Sequence, residues 1–121
     1  MRDHTSLRAW QEARLVSVEV LRLVRRHWRP HASALFAQLQ RASLSVQLNI
    51  AEGYAYAAAR RFVAHLGIAY ASAIETGELL ELVRELDLAP GDVLDPLVRR
   101  SRRSQRLILG LLKAQRRACP P

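Results

Sequence analysis

Arg41-Ala42-Ser43-Leu44-Ser45-Val46-Gln47-Leu48-Asn49-Ile50-Ala51-Glu52-Gly53 is the stretch that decides how this chain folds. Ala42, Val46, Asn49 and Gly53 recur at spacings of four, three and four, and Leu35 and Leu39 extend the series upstream. Such spacings place the residues on one face of an α-helix, in the manner of a bundle seam. Two members stand out, because Asn49 is polar and Gly53 has no side chain. Gly53 either closes the helix as a C-terminal cap or lets a second backbone come close. Arg41, Ser45, Asn49 and Glu52 follow one another by four, four and three along a flank of the same helix. A polar row on or beside an apolar seam has to find hydrogen-bond partners. The expected role is structural, a network that fixes helix register or a subunit contact. A ligand or RNA site is the competing reading.

Working outward, this helix is expected over about 32–54, and three others flank it. The first runs over about 6–28, with Leu7, Trp10, Val18, Leu21, Val24 and Trp28 at helical spacing and Ser6 as N-cap. Pro30 disfavours helical geometry at Arg29 and stops it there. The third runs over about 58–86, with Phe62, Leu66, Ala69, Ala73, Leu80 and Val83 on one face. It is also the acidic helix, carrying Glu75, Glu78, Glu81 and Glu85. Residues 87–92 read as a loop around Pro90 and Gly91. The fourth helix starts at Asp92 or at Asp95, where Asp95-Pro96 makes a cap and first-turn pair. No window alternates with period two, so strands are not expected. Four long helices with short turns predict an all-α, up-down-up-down antiparallel bundle, with residues 1–121 as one domain.

The chain carries 19 basic and 11 acidic residues, a net charge of +8. All but one of the basic residues are arginine, whose planar fork binds phosphate in bidentate fashion. A genome-wide preference for arginine codons would explain arginine over lysine, but not the excess over acids. The excess points to a polyanion such as RNA or DNA. The basic residues cluster at helical spacing. Arg22, Arg25, Arg26 and Arg29 share a flank of the first helix. Arg99, Arg103, Arg106, Lys113 and Arg117 lie along one stripe of the fourth, and from Pro96 to Pro121 there is no acid at all. These nine are the expected phosphate contacts.

Signals for catalysis are weak. His4, His27, His31 and His65 are scattered and lack metal-ligand spacing. The chain has no glycine-rich phosphate loop, nucleophile elbow or cofactor fingerprint. No cofactor, metal or enzyme activity is expected, and an alternative carboxylate site on Glu52, Glu75 and Glu78 lacks a base and a ligand set. The lone Cys119 has no internal disulfide partner, which fits a reducing, cytoplasmic compartment. No apolar run approaches the ~20 residues of a membrane span, so no membrane partner is expected.

In order along nearly the whole chain come Leu7-x-x-Trp10, Gln38-Leu39-Gln40-Arg41-Ala42, Ser45-Val46, Asn49-Ile50-Ala51-Glu52-Gly53, Phe62, Leu66, Ile68-Ala69 and Glu75. With these residues the chain resembles a family of four-helix bundle proteins. That family includes the protein encoded in intervening sequences of bacterial large-subunit ribosomal RNA, and the accessory variability determinant of diversity-generating retroelements. Three departures stand out. Ala71-Ser72 replaces the usual Gly-Ser. An Ala-rich run over 54–59 replaces Arg and Ser and lacks an N-cap. Trp28-Arg29-Pro30 stands for an aromatic-Pro pair. The resemblance implies a homopentameric barrel without enzyme activity. For the retroelement branch it implies binding to a reverse transcriptase and its template RNA. The intervening-sequence branch has no well-defined role. The positive charge favours the retroelement accessory; the alternative is a structural homo-oligomer with no nucleic-acid role, in which acidic helix three neutralises basic helix four across subunits.

Overall fold

The computed structural model describes residues 3–56 and 58–119. Four helices follow in chain order: α1 (Arg8–His27), α2 (Ser33–Ala55), α3 (Ala59–Glu85) and α4 (Gly91–Ala118). Among the described residues there is no strand. Each helix packs on its chain neighbours, and α1 closes the ring against α4. Cross-helix bonds fix the directions. Ser17 Oγ donates to the Ser43 carbonyl at 3.0 Å, Ser45 meets Ser72, and Gln105 Nε2 donates to the Ala73 carbonyl at 3.3 Å. Asn49–His65 and Gln38–Glu75 on α2–α3, and Arg84–Asp95 beside Ala73–Gln105 on α3–α4, run in opposite order along the two helices. These neighbours are therefore antiparallel, and with short turns throughout the fold is an up-down-up-down four-helix bundle.

The turns follow from local chemistry, with corrections to the sequence reading. Ser6 is not the cap of α1. It belongs to a 3-10 turn over His4–Ser6, and Leu7 occupies the cap position. That turn is held by Asp3, whose carboxylate accepts the Thr5 backbone N–H at 3.0 Å and the Thr5 hydroxyl at 2.7 Å. These two bonds hold the Asp3 carboxyl below the ordinary carboxylate range. α1 ends at His27, and Arg29 is extended before Pro30, as the proline requires. α3 ends in a Schellman motif. Leu88 N–H reaches the Val83 carbonyl and Asp87 N–H the Arg84 carbonyl, both at 3.0 Å, with Asp87 left-handed at φ 53°. The loop is therefore shorter than 87–92, and Gly91 already begins α4. Asp95 is not a cap, because Pro96 lies inside the helix, capped in fact by Pro90.

The core has two parts. One, toward the α1–α2 and α3–α4 turns, is built around Val20, Phe36, Leu39, Leu80 and Leu94. The other, toward the α2–α3 turn and the chain ends, is built around Ile50, Phe62, Leu66, Ile108 and Leu112. Ser17, Ser43, Thr76, Ser101 and Ser104 are buried near mid-height. Ser43 and Thr76 donate their hydroxyls to carbonyls three and four residues back, at 3.1 and 2.8 Å, so their burial leaves no open donor.

Gly53 does not end α2, which continues to Ala55. A Cβ placed on it would lie 2.5 Å from His65 Cβ and 3.1 Å from the Phe62 ring, so here glycine serves close approach. His65 Cβ is fixed to the α3 backbone and cannot swing aside. Gly53→Ala is therefore expected to lose about 1–3 kcal/mol from overpacking, outweighing the ~1 kcal/mol that alanine adds to a helix. Urea denaturation followed by circular dichroism measures this; an unchanged or raised midpoint would contradict it.

Candidate nucleic-acid interface

Charge is divided unequally among the helices. α4 carries eight basic residues against Asp92 and Asp95, and α1 five against Glu12 and Glu19. α3 carries three basic residues against four acids, and α2 one of each. Because α1 and α4 are neighbours, the two basic helices form one continuous face.

Five of the nine predicted phosphate contacts meet there. Arg99, Arg103 and Arg106 line an open hollow between α4 and α1, together with Arg100, Pro96 and Glu12. Arg22 and Arg26 line the next hollow along the same groove, and Arg100 and Pro96 border both. Arg25 faces the other side of α1, in a groove toward α2 with Leu21, Trp28 and Gln40. Arg29 lies beyond the end of α1 and is exposed. Lys113 and Arg117 are exposed on the α4 stripe, but Lys113 stands ten residues past Arg103, about 15 Å along the helix axis. The stripe is thus long, and Arg99, Arg103 and Arg106 are its members that line the hollow with Glu12.

Two residues of this face escaped the sequence reading. Arg100 lies off the α4 stripe toward α1, and Glu12 is its partner. The Glu12 side chain is only 12% exposed; its carboxylate takes Arg100 at 3.1 Å and Arg103 at 3.8 Å. The available signal was position: Glu12 precedes Val16 and Val20 by four and eight, on the apolar side of an otherwise amphipathic helix. The opposite border of the stripe is neutralised by α3, where Glu81 meets Arg102 at 3.9 Å and Arg84 meets Asp95 at 2.8 Å. These pairs form within one chain. They are exposed and worth little stability, as is the Arg22–Glu19 pair at 3.1 Å on α1, and the excess of positive charge lies between the α3 pairs and Glu12.

The polar row of α2 lies on the other side of the molecule, facing α3. Asn49 is half-buried on that flank and not in the core. Its Nδ2 donates to the Ser45 carbonyl at 2.9 Å and to Ser45 Oγ at 3.1 Å, and its Oδ1 faces His65 Nδ1 at 3.0 Å. An amide oxygen only accepts, so His65 carries its proton on Nδ1. Ser45 Oγ and Ser72 Oγ are 2.9 Å apart. Arg41, exposed, donates to Gln38 Oε1 at 2.8 Å, and Gln38 in turn donates to Glu75. Glu52 stands apart from this ladder, exposed beside a hollow it shares with Tyr56, Arg61 and His65. Glu52 and Gln38, the partner of Glu75, are fourteen residues apart on α2, about 20 Å. Glu52 and Glu75 therefore do not converge into a carboxylate site. Among the described residues, no three His, Cys, Asp or Glu side chains are grouped to hold a metal ion, and no helix is long and apolar enough to cross a membrane.

An antiparallel four-helix bundle with one basic face and a polar ladder on the opposite helix pair defines a class of protein. The family model of the 23S rRNA-intervening sequence protein matches residues 5–110, and the chain belongs to that family. Among solved structures it is similar to a protein of unknown function of the S23 ribosomal protein family from Bacteroides thetaiotaomicron. The two share 20% identity and a TM-score of 0.63, over 84% of this chain and 98% of that one, which establishes the common fold. No curated protein matches the chain.

The ladder generates a prediction. Asn49→Leu removes the acceptor for His65 Nδ1–H and both bonds to Ser45, at an expected loss of about 1–3 kcal/mol. Helicity by circular dichroism should be retained, while native mass spectrometry should report an altered oligomeric state or register. A variant that keeps the wild-type mass and stability but loses RNA binding would make the row a ligand site instead.

Proposed function

We propose that this chain is a non-catalytic, basic nucleic-acid-binding scaffold, and that it serves as the accessory protein of a diversity-generating retroelement, binding reverse transcriptase and template RNA. The observation that carries this reading is the strip of arginines on the α1–α4 face, with Arg22 paired to Glu19 and Arg103 to Glu12, and with Arg26, Arg99 and Arg106 free of ion pairs among the described residues. Arg22, Arg26, Arg99, Arg103 and Arg106 lie along one groove, between Glu12 on one side and the Glu81 and Asp95 pairs on the other. A strip in which six arginines outnumber Glu12 and Glu19 suits a chain of phosphates and makes contacts independent of sequence. Arg25, Arg29, Lys113 and Arg117 extend the positive field around and along this strip.

The working unit is a homopentamer. The outer side of α2 carries Ala37, Leu44, Leu48, Ala51 and Ala55 with the exposed Arg41 among them, and Leu48 is 48% exposed. The outer side of α3 adds Ile68, 51% exposed, and Leu82. Helices apolar on both sides bury both sides. Self-association through α2 and α3 leaves the α1–α4 faces turned away from the contact, so a ring multiplies the basic strip. The second reading, a structural homo-oligomer of the intervening-sequence type, draws on this same apolar face and needs no partner.

Replacing Arg99, Arg103 and Arg106 together by Glu separates the two. The variant is expected to keep its oligomeric mass and to lose RNA binding at low salt in fluorescence anisotropy. Wild-type affinity is expected to fall roughly a hundredfold or more as salt rises a few-fold, in proportion to the phosphates contacted. Loss of the oligomer with no change in RNA binding favours the structural reading. A reverse transcriptase gene and template repeat beside this reading frame supports the accessory role, and a frame embedded in a ribosomal RNA gene supports the alternative.

A further inference from the structure

The groove between α1 and α4 is not uniformly polar. Beside the arginine strip it has an apolar section, floored by buried Leu23 and Leu97 and opened by Leu15, Val93 and Pro96. Leu15 is 45% exposed and Val93 37% exposed. Arg22, Arg26 and Glu19 on one rim and Arg100 on the other enclose this section. Glu19 holds Arg22 at 3.1 Å and Glu12 holds Arg100 at 3.1 Å, which leaves Arg26 as the cation without an ion pair among the described residues. Exposed apolar surface ringed by charge is costly in water and marks a binding site. Pro96 adds a second anomaly. It sits inside α4, where it cannot donate a hydrogen bond to the Asp92 carbonyl, and its ring borders both the apolar section and the arginine hollow.

We propose that this apolar section receives an unpaired nucleobase, while Arg22, Arg26, Arg100 and the adjoining Arg99, Arg103 and Arg106 hold the flanking phosphates. The inference rests on the nucleic-acid reading above and narrows it to single strands. Charge complementarity selects a polyanion. A base has two flat, poorly hydrated faces, and the apolar section is a place in the α1–α4 groove where such a face leaves water. Only an unpaired base can enter it; in a duplex both faces are stacked and the groove meets the backbone alone. A purely phosphate-binding strip would have no use for Leu15 and Val93 at its centre.

The test uses the full chain and three probes of equal phosphate number: oligothymidylate, a DNA duplex, and an oligomer of abasic deoxyribose phosphates. Wild-type protein should bind oligothymidylate about tenfold or more tighter than the abasic oligomer, the increment expected for burying a base face. The double variant Leu15→Gln/Val93→Gln changes exposed side chains without changing charge. It should abolish that preference and leave abasic and duplex binding within twofold of wild type. Equal wild-type affinity for all three probes would overturn the inference while the nucleic-acid reading survives. No binding to any probe at low salt would overturn both. A double variant that keeps the preference but loses oligomeric mass would make the groove a contact between copies, and would also overturn it.

Discussion

The approach of α3 to α2 at Gly53 is the constraint on which the rest of the bundle depends. With no side chain at Gly53, the α3 backbone at Phe62 and His65 comes closer than any other residue would allow. That contact fixes the height of α3 relative to α2. Asn49 then meets His65, Ser45 meets Ser72, and Gln38 meets Glu75, three rungs at one antiparallel register. Shifting the helices by one turn would break every rung at once. The ladder lies half-buried, so its bonds are specific without the full desolvation cost of a core network.

Once this hairpin is set, the division of labour among faces follows. α2 and α3 are held together by small residues and a polar ladder, which leaves their outer sides free to be apolar. α1 and α4 are strongly amphipathic, and their hydration rests on arginine. The buried hydroxyls of Ser17, Ser43 and Thr76 suit the same design. Small side chains at mid-height let the helices come near, and the bonds they donate to helix carbonyls avoid open donors. A basic face and an apolar face on opposite helix pairs make the bundle directional.

Much of this was legible in the sequence, because periodicity reports which residues share a face of their own helix. The seam through Leu39, Ala42 and Val46, the boundary at Arg29-Pro30 and the stripe through Arg99, Arg103 and Arg106 are all of this kind. What periodicity lacks is the register between helices. Gly53 read equally well as a cap or a contact, since its role is set by His65 twelve residues on. Glu12 and Arg100 were invisible because each gains meaning from the other, 88 residues away. Asp95-Pro96 misled for a different reason. Capping preferences describe where a proline is cheapest, and here Pro96 occupies a dearer position whose ring faces the groove.

Glu12 presents the sharpest physical question on the basic face, since an acid there subtracts from the positive field of the arginines around it. Its position resolves the conflict. The carboxylate is buried between α1 and α4, and Arg100 and Arg103 reach it from the α4 side. Without it, two arginines side by side on α4 would repel each other and splay into solvent. Paired to one acid, they are held at the groove edge. Arginine has five donors, so a guanidinium engaged by Glu12 still has a fork to offer a phosphate. The acid therefore lowers the net charge by one while restricting the rotamers of two long side chains. The same pairing ties α1 to α4 at the place where the bundle ring closes, so the contact that orders the basic face also completes the fold.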